Sequence, residues 1–145
     1  MIKALLLLVA VVALGPSPVA AQQGYVVIVN ETNGVSTLSA EEVSRVFLKK
    51  THRLSNGGGL DVVPVDLPES APAREAFSAA VHGKPVSAVH AYWQQQIFSG
   101  RAVPPTEKGS DDQVVAFVRS TPGAIGYVSA GAPLGAGVRR VQVVR

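Results

Sequence analysis

The order of elements along this chain predicts an α/β domain, a single three-layer lobe in which a mixed β-sheet is flanked by helices. Three observations carry that expectation. Short β-branched runs alternate with segments of helical periodicity over the whole length, the pattern of layered α/β folds. Of the 145 residues, about 124 remain after an N-terminal apolar segment, a size suited to one domain. No stretch is long or polar enough to link two units, and no internal repeat is visible.

The chain begins with a short basic start, Met1-Ile2-Lys3, followed by an unbroken apolar run over residues 4–14. Gly15 and Pro16 break that run, and Val19-Ala20-Ala21 places small residues where a signal peptidase reads. Residues 1–21 are therefore expected to be a secretory signal, cut after Ala21, and residues 22–145 a single domain. The run is shorter than the ~20 residues a membrane-spanning helix needs. The expected location is periplasmic or secreted, with no membrane insertion after cleavage.

Composition narrows the partners. Lys and Arg number 13 against 10 Asp and Glu, a formal charge of +3, and about +2 once Lys3 is removed. That excess is small and scattered, which argues against nucleic acid. Cysteine is absent, so there is no disulfide, no thiolate metal site and no lipid-modified cysteine.

Residues 25–30, YVVIVN, read as a buried strand bounded by turn residues. Residues 31–37 read as a polar loop. Ser39-Ala40-Glu41-Glu42 then forms a capping box, with Ser39 as N-cap and Glu42 reaching back. The helix it opens would bury Ala40, Val43, Val46 and Phe47 and end in Lys49-Lys50, where cations suit the dipole. Residues 51–59 form an excursion whose three glycines suggest a mobile tip.

Residues 60–65 read as the second strand, with Pro64 marking an end or an edge. A helix is expected from Ser70, a good N-cap, with Ala73, Ala76, Phe77, Ala80 and Val81 on one face. It would stop at His82-Gly83. A third helix over residues 86–98 would bury Val86, Val89, Trp93 and Ile97. After a loop broken by Pro104-Pro105, Ser110 caps a fourth helix that buries Val114, Val115 and Val118. Residues 124–128, AIGYV, and 138–144 complete the set as strands.

The stretch with most chemical interest is the strand-to-helix passage at residues 62–81. A helix N-terminus at the end of a strand presents unpaired N–H groups and a partial positive charge, which suits anions. Arg74, one turn in, adds a full charge. Elsewhere the signals are thin. His52, His82 and His90 make no metal-ligand spacing, and neither a metal nor a cofactor is expected. No G-x-S-x-G elbow supports a serine nucleophile. Asp66 and Glu69 can be read as an acid/base pair, but more simply as solvated loop carboxylates that help cap the helix. Gly57 to Gly59 do not follow a phosphate-loop pattern. Arg139, Arg140 and Arg145 read as a solvated strand edge.

Residues 121–128, TPGAIGYV, preceded by the helix at 110–118, resemble the end of the ligand-binding lobe in phosphate-binding proteins of ABC transporters, a type 2 periplasmic-binding-protein-like family. Other pieces fall in that family's order. Val27-Ile28-Val29-Asn30 resembles the strand entering its second lobe. Leu38-Ser39 through Lys49 resembles its "LS…EV…IF-G-K" helix, and Ala91-Tyr92-Trp93 with Phe98-Ser99-Gly100 resembles its Trp helix and turn. The resemblance implies a lobe that holds an oxyanion such as phosphate at a helix start, here with Ser70, Ala71, Arg74 and Asn30 as ligand-binding candidates. It covers only one of the family's two lobes. Where the family carries Arg-x-Asp-Gly-Ser-Gly-Thr, residues 66–72 read DLPESAP and keep only Ser70.

Two functions follow, neither enzymatic. One is an exported solute-binding-like protein that takes a small oxyanion near Ser70, weakly or as a homodimer. The alternative is a periplasmic interaction or accessory module that keeps the lobe and has lost the ligand. A hydrolase built on Ser70 has no supporting motif.

Overall fold

The computed structural model of the chain describes residues 24–56 and 60–145. The expected signal segment and the three glycines at 57–59 lie outside the described residues. Six strands form one mixed sheet. They are β1 (Val26–Asn30), β2 (Thr37–Ser39), β3 (Val63–Asp66), β4 (Thr106–Glu107), β5 (Ala124–Val128) and β6 (Val138–Val144). Their spatial order is β2-β6-β1-β5-β3-β4. β1 runs antiparallel to both β5 and β6, whereas β3 is parallel to β5 and to β4. The α/β lobe expected from the sequence is the fold observed.

The helices are α1 (Ala40–Phe47), α2 (Pro72–Phe77), α3 (Val86–Phe98) and α4 (Asp111–Ser120), with a π-helical turn over Ser78–His82 continuing α2. β1 and β5 are central, and Val27, Ile28, Val29, Ile125 and Tyr127 are essentially inaccessible. Strands buried on both faces need cover on both sides. Adjacent residues of β5 show what supplies it, because consecutive side chains in a strand point to opposite faces. Tyr127 stacks on Phe77 of α2, with ring centroids 3.9 Å apart and planes 6° from parallel, and also meets Phe47 of α1 at 5.7 Å. Gly126 faces α4, and a Cβ there would lie 2.7 Å from Val65 Cγ1 and 2.8 Å from Val114 Cγ1. α4 thus packs on one face, and α1 and α2 on the other.

Several local expectations are corrected. Ser39 is the N-cap of α1, its Oγ accepting from the Glu42 N–H at 3.1 Å. Glu42 does not reach back, because its Oε1 accepts from the N–H and hydroxyl of Ser55 at 2.7 and 2.6 Å. Neither short outer strand was expected: β2 overlaps the end of the loop read over residues 31–37 and runs into the Ser39 cap, and β4 lies within the loop read before Ser110. At three and two residues they are too brief to carry a period, and they blunt the sheet's edges. Pro64 lies inside β3, opposite Ile125 and before β4 pairing begins at Val65, so its missing N–H deprives no neighbour. Arg139 and Arg140 are exposed but belong to β6, which lies between β1 and β2 rather than at the edge. The wider π turn after Phe77 alters the helical phase, so Ser78 is buried and Ala80 exposed.

α3 differs from the others. Of its expected inner face only Val89 and Trp93 are buried, and Ile97 is 53% exposed. With Leu48 they form a small satellite cluster that Tyr92 and Ala102 border. The indole N–H of Trp93 is buried there without a partner among the described residues.

Candidate functional site

β3 ends at Asp66, and the chain turns through residues 67–71 into α2. The turn is closed by the Ala71 N–H donating to Pro68 O at 2.9 Å. The N-cap is Ala71, not Ser70, and no side chain caps the helix. Pro72 dictates this. Its fixed φ suits the first helical position, and the residue before a proline is pushed to extended backbone, as Ala71 is at φ −71°, ψ 129°. Ser70 is exposed in the turn, one residue before the Ala71 cap.

Arg74 points inward. Its side chain is 8% accessible, and Nη1 donates to Leu67 O at 2.6 Å. The same nitrogen lies 3.4 Å from Asp66 Oδ1 and 3.6 Å from Glu107 Oε2 on β4. Asp66 is itself buried and accepts a hydrogen bond from the Tyr127 hydroxyl. Tyr127 Oη in turn accepts from the Leu67 N–H at 3.4 Å. Asp66 is therefore no solvated loop carboxylate: it anchors a buried network that ties β3, β5 and α2 together. Burial raises its carboxyl above the ordinary range, against the opposing pull of Arg74, Tyr127 and the Leu67 N–H. Burial and the neighbouring Asp66 likewise push the Tyr127 hydroxyl far up.

Glu69 is exposed and pairs with His90 Nδ1 at 2.6 Å. Asn30 is buried at the C-terminal end of β1. Its amide donates to Val118 O and Arg119 O at 2.8 and 2.9 Å, and its Oδ1 accepts from the N–H and hydroxyl of Thr32 at 3.0 and 2.7 Å. The β1–β5 register pairs Val29 with Ile125 and Val26 with Val128, while β3 runs parallel to β5. Asn30 thus lies at the start of β5, and Asp66 with the Ser70 turn at its far end. Ser70, Ala71 and Arg74 are neighbours on one turn, and Asn30 is at the opposite end of the sheet.

Two participants escaped the reading of the sequence. Tyr127 carried a signal, since a hydroxyl inside an otherwise apolar buried strand must find a partner. Glu107 carried none, because β4 is only two residues long. Away from this turn, His82 Nδ1 lies 2.8 Å from Ser44 Oγ, with its ring edge-on to Phe77. Burial, reinforced by Arg74, Lys84 and Lys50, lowers its pKa to about 4. Among the described residues no group of three or more His, Asp or Glu side chains is placed to hold a metal ion.

No protein-family model matches the chain, and no curated protein is matched by its sequence. Solved structures do resemble it. An ABC-type phosphate transport receptor from Vibrio cholerae superposes with a TM-score of 0.65 at 16% identity, over 83% of this chain and 46% of the receptor. A protein from Clostridium perfringens, assigned as a phosphate ABC transporter substrate-binding protein and crystallised with bound phosphate, gives 0.64 at 20% identity, covering 83% and 44%. PstS from Borrelia burgdorferi gives 0.60 at 13% identity, covering 83% and 47%. The chain spans less than half the length of these proteins. At such identities the likeness defines a periplasmic-binding-protein-like fold. The particular activity has to be argued from this chain's own residues.

Proposed function

We propose that this chain is an exported lobe of solute-binding-protein type that works through contacts with other macromolecules rather than by holding a free oxyanion. The commitment of Arg74 carries the reading. One buried guanidinium faces two carboxylates and a carbonyl, so the cation in the first turn of α2 is already neutralised. The donors an oxyanion would use are also depleted. Pro72 has no N–H, and that of Ala71 is bonded to Pro68 O. Export rests on residues 1–21. A mature protein beginning at Gln22, read by mass spectrometry of the periplasmic fraction, would establish it.

Calorimetry with phosphate, sulfate and molybdate tests the loss of the ligand. At protein concentrations near ~0.1 mM no heat is expected from any of them. Binding tighter than about 1 mM that Ser70→Asp abolishes would overturn the reading.

One observation favours the second reading, an oxyanion held by Ser70 and Ala71 with help from Arg74: the fold is shared with a protein crystallised with bound phosphate. It requires Arg74 to leave Asp66 and swing outward, and it leaves Asn30 without a part.

A further inference from the structure

Of the large apolar side chains exposed on the described surface, the three most exposed lie at the C-terminal end of α3 and in the loop after it. Phe98 is 92% exposed, Ile97 53% and Val103 63%. Single exposed apolar residues are ordinary, but a phenylalanine almost wholly in water at a helix terminus is not. The chain folds back there. The Gly100 N–H donates to Ile97 O and the Arg101 N–H to Gln96 O, both at 3.0 Å. Ala102 packs on the satellite cluster of Leu48, Val89 and Trp93.

This end of the molecule is also basic. Lys49 Nζ donates to Pro104 O at 3.4 Å, and Lys50 Nζ lies 5.8 Å from the Tyr92 ring centroid, so both lysines belong to the α3 module. Arg101 is exposed in the turn, three residues after Phe98. Residues 86–106 contain no Asp or Glu. An exposed aromatic tip among cations, with no acid in its segment, has the chemistry of a shallow anchor in an anionic lipid surface. The apolar tips enter the headgroup boundary while the cations meet lipid phosphates.

We propose that the α3 tip, formed by Ile97, Phe98 and Val103 with Lys49, Lys50 and Arg101, docks the protein peripherally on an anionic bilayer. Charge complementarity selects this occupant, since a neutral apolar partner would leave three cations unmatched. The contact is peripheral because, among the described residues, no helix is long and apolar enough to cross a membrane.

Co-sedimentation tests the proposal with protein lacking residues 1–21, whose apolar run would itself bind lipid. The vesicles are phosphatidylcholine alone, or phosphatidylcholine with about 30% phosphatidylglycerol to supply the anionic surface potential. Binding is expected only to the second. Three cations should raise partitioning roughly 100-fold at low salt. That gain should fall away near 0.5 M NaCl, where the screening length shrinks to about 4 Å. Phe98→Ser should lower partitioning about 10-fold or more and leave the far-ultraviolet circular dichroism unchanged, the side chain being in water. Lys49→Ser with Arg101→Ser should remove most of the salt dependence. Equal binding to both vesicle types, no binding to either, or full binding by Phe98→Ser would each overturn the proposal. Phe98-dependent self-association without lipid, seen by sedimentation, would overturn it in favour of a second copy of the chain. Calorimetric heat with phosphate would bear on the Ser70 turn alone, so this surface and the functional reading fail separately.

Discussion

Replacing Arg74 by methionine keeps most of the side chain's bulk and removes its charge. Asp66 then loses its cation inside the fold, and Leu67 O loses a donor that lies 2.6 Å away. Removing one partner of a buried ion pair costs about 3–5 kcal/mol, mostly because the other charge stays buried. That is a large share of the roughly 5–15 kcal/mol total of a small domain. At about 4 °C per kcal/mol for a chain of this size, the melting temperature should fall by some 12–20 °C. The loss should depend on pH in a defined direction. The Asp66 carboxyl is already raised by burial and would rise further without Arg74. In the variant the folded state holds the proton more tightly than the unfolded state does. Its relative stability should therefore be greatest at acidic pH and decline as pH climbs through the raised folded value. Urea titrations followed by far-ultraviolet circular dichroism at pH 5 and pH 8 measure both effects. The double variant Asp66→Asn/Arg74→Met, which removes the stranded charge, should regain more than half of the loss. A single-variant loss below about 1 kcal/mol, or a double variant no better than the single, would refute the account of this network as the clamp on α2.

Three further outcomes follow from the geometry. His82 has a folded pKa of about 4, depressed from 6.5. Between those values the unfolded chain takes up a proton that the folded chain refuses, so stability is lost as pH falls through that window, at no more than about 1.4 kcal/mol per pH unit. Urea midpoints from pH 7 to 4 should fall less steeply in His82→Gln. Gly126→Ala forces a methyl against Val65 and Val114 at 2.7–2.8 Å and should cost about 1–3 kcal/mol by thermal melting. Ser39→Ala should cost about 1 kcal/mol, whereas Ser70→Ala should change stability by less than about 0.5 kcal/mol. Equal losses for the two serines would contradict the placement of the α2 cap at Ala71.

What could be read in the sequence followed from how strongly each residue type constrains its own backbone. β1 is a β-branched run and β5 an apolar run behind a Thr-Pro-Gly turn, and both lie where they were expected. Ser39 and Ser110 act as N-caps because nothing nearby competes, each accepting from the third residue on. Ser70 lost its cap to Pro72 two residues later, a competition that propensity alone ranks the wrong way. The outer strands escaped because two or three residues hold no pattern and are defined only by their neighbours. The candidate site was legible as a position and not as an arrangement. Which way Arg74 points depends on Asp66, Leu67 O and Glu107 together, and the last is 33 residues away. Asn30 was grouped with the Ser70 turn by resemblance, while strand direction alone separates them.

The satellite cluster under α3 has a consequence for how this molecule opens. Leu48, Val89 and Trp93 are a small apolar holdfast next to the main core, and the buried Trp93 N–H has no partner among the described residues, a penalty of order 1–3 kcal/mol. A unit held this lightly opens by itself at a free energy well below that of global unfolding. Amide exchange should therefore strip protection from α3 while β1 and β5 remain closed. Because Trp93 is the chain's single tryptophan, intrinsic fluorescence reports this sub-global opening. Its transition in urea should come earlier than that of circular dichroism, and the protein should appear to melt in two steps whenever both probes are used.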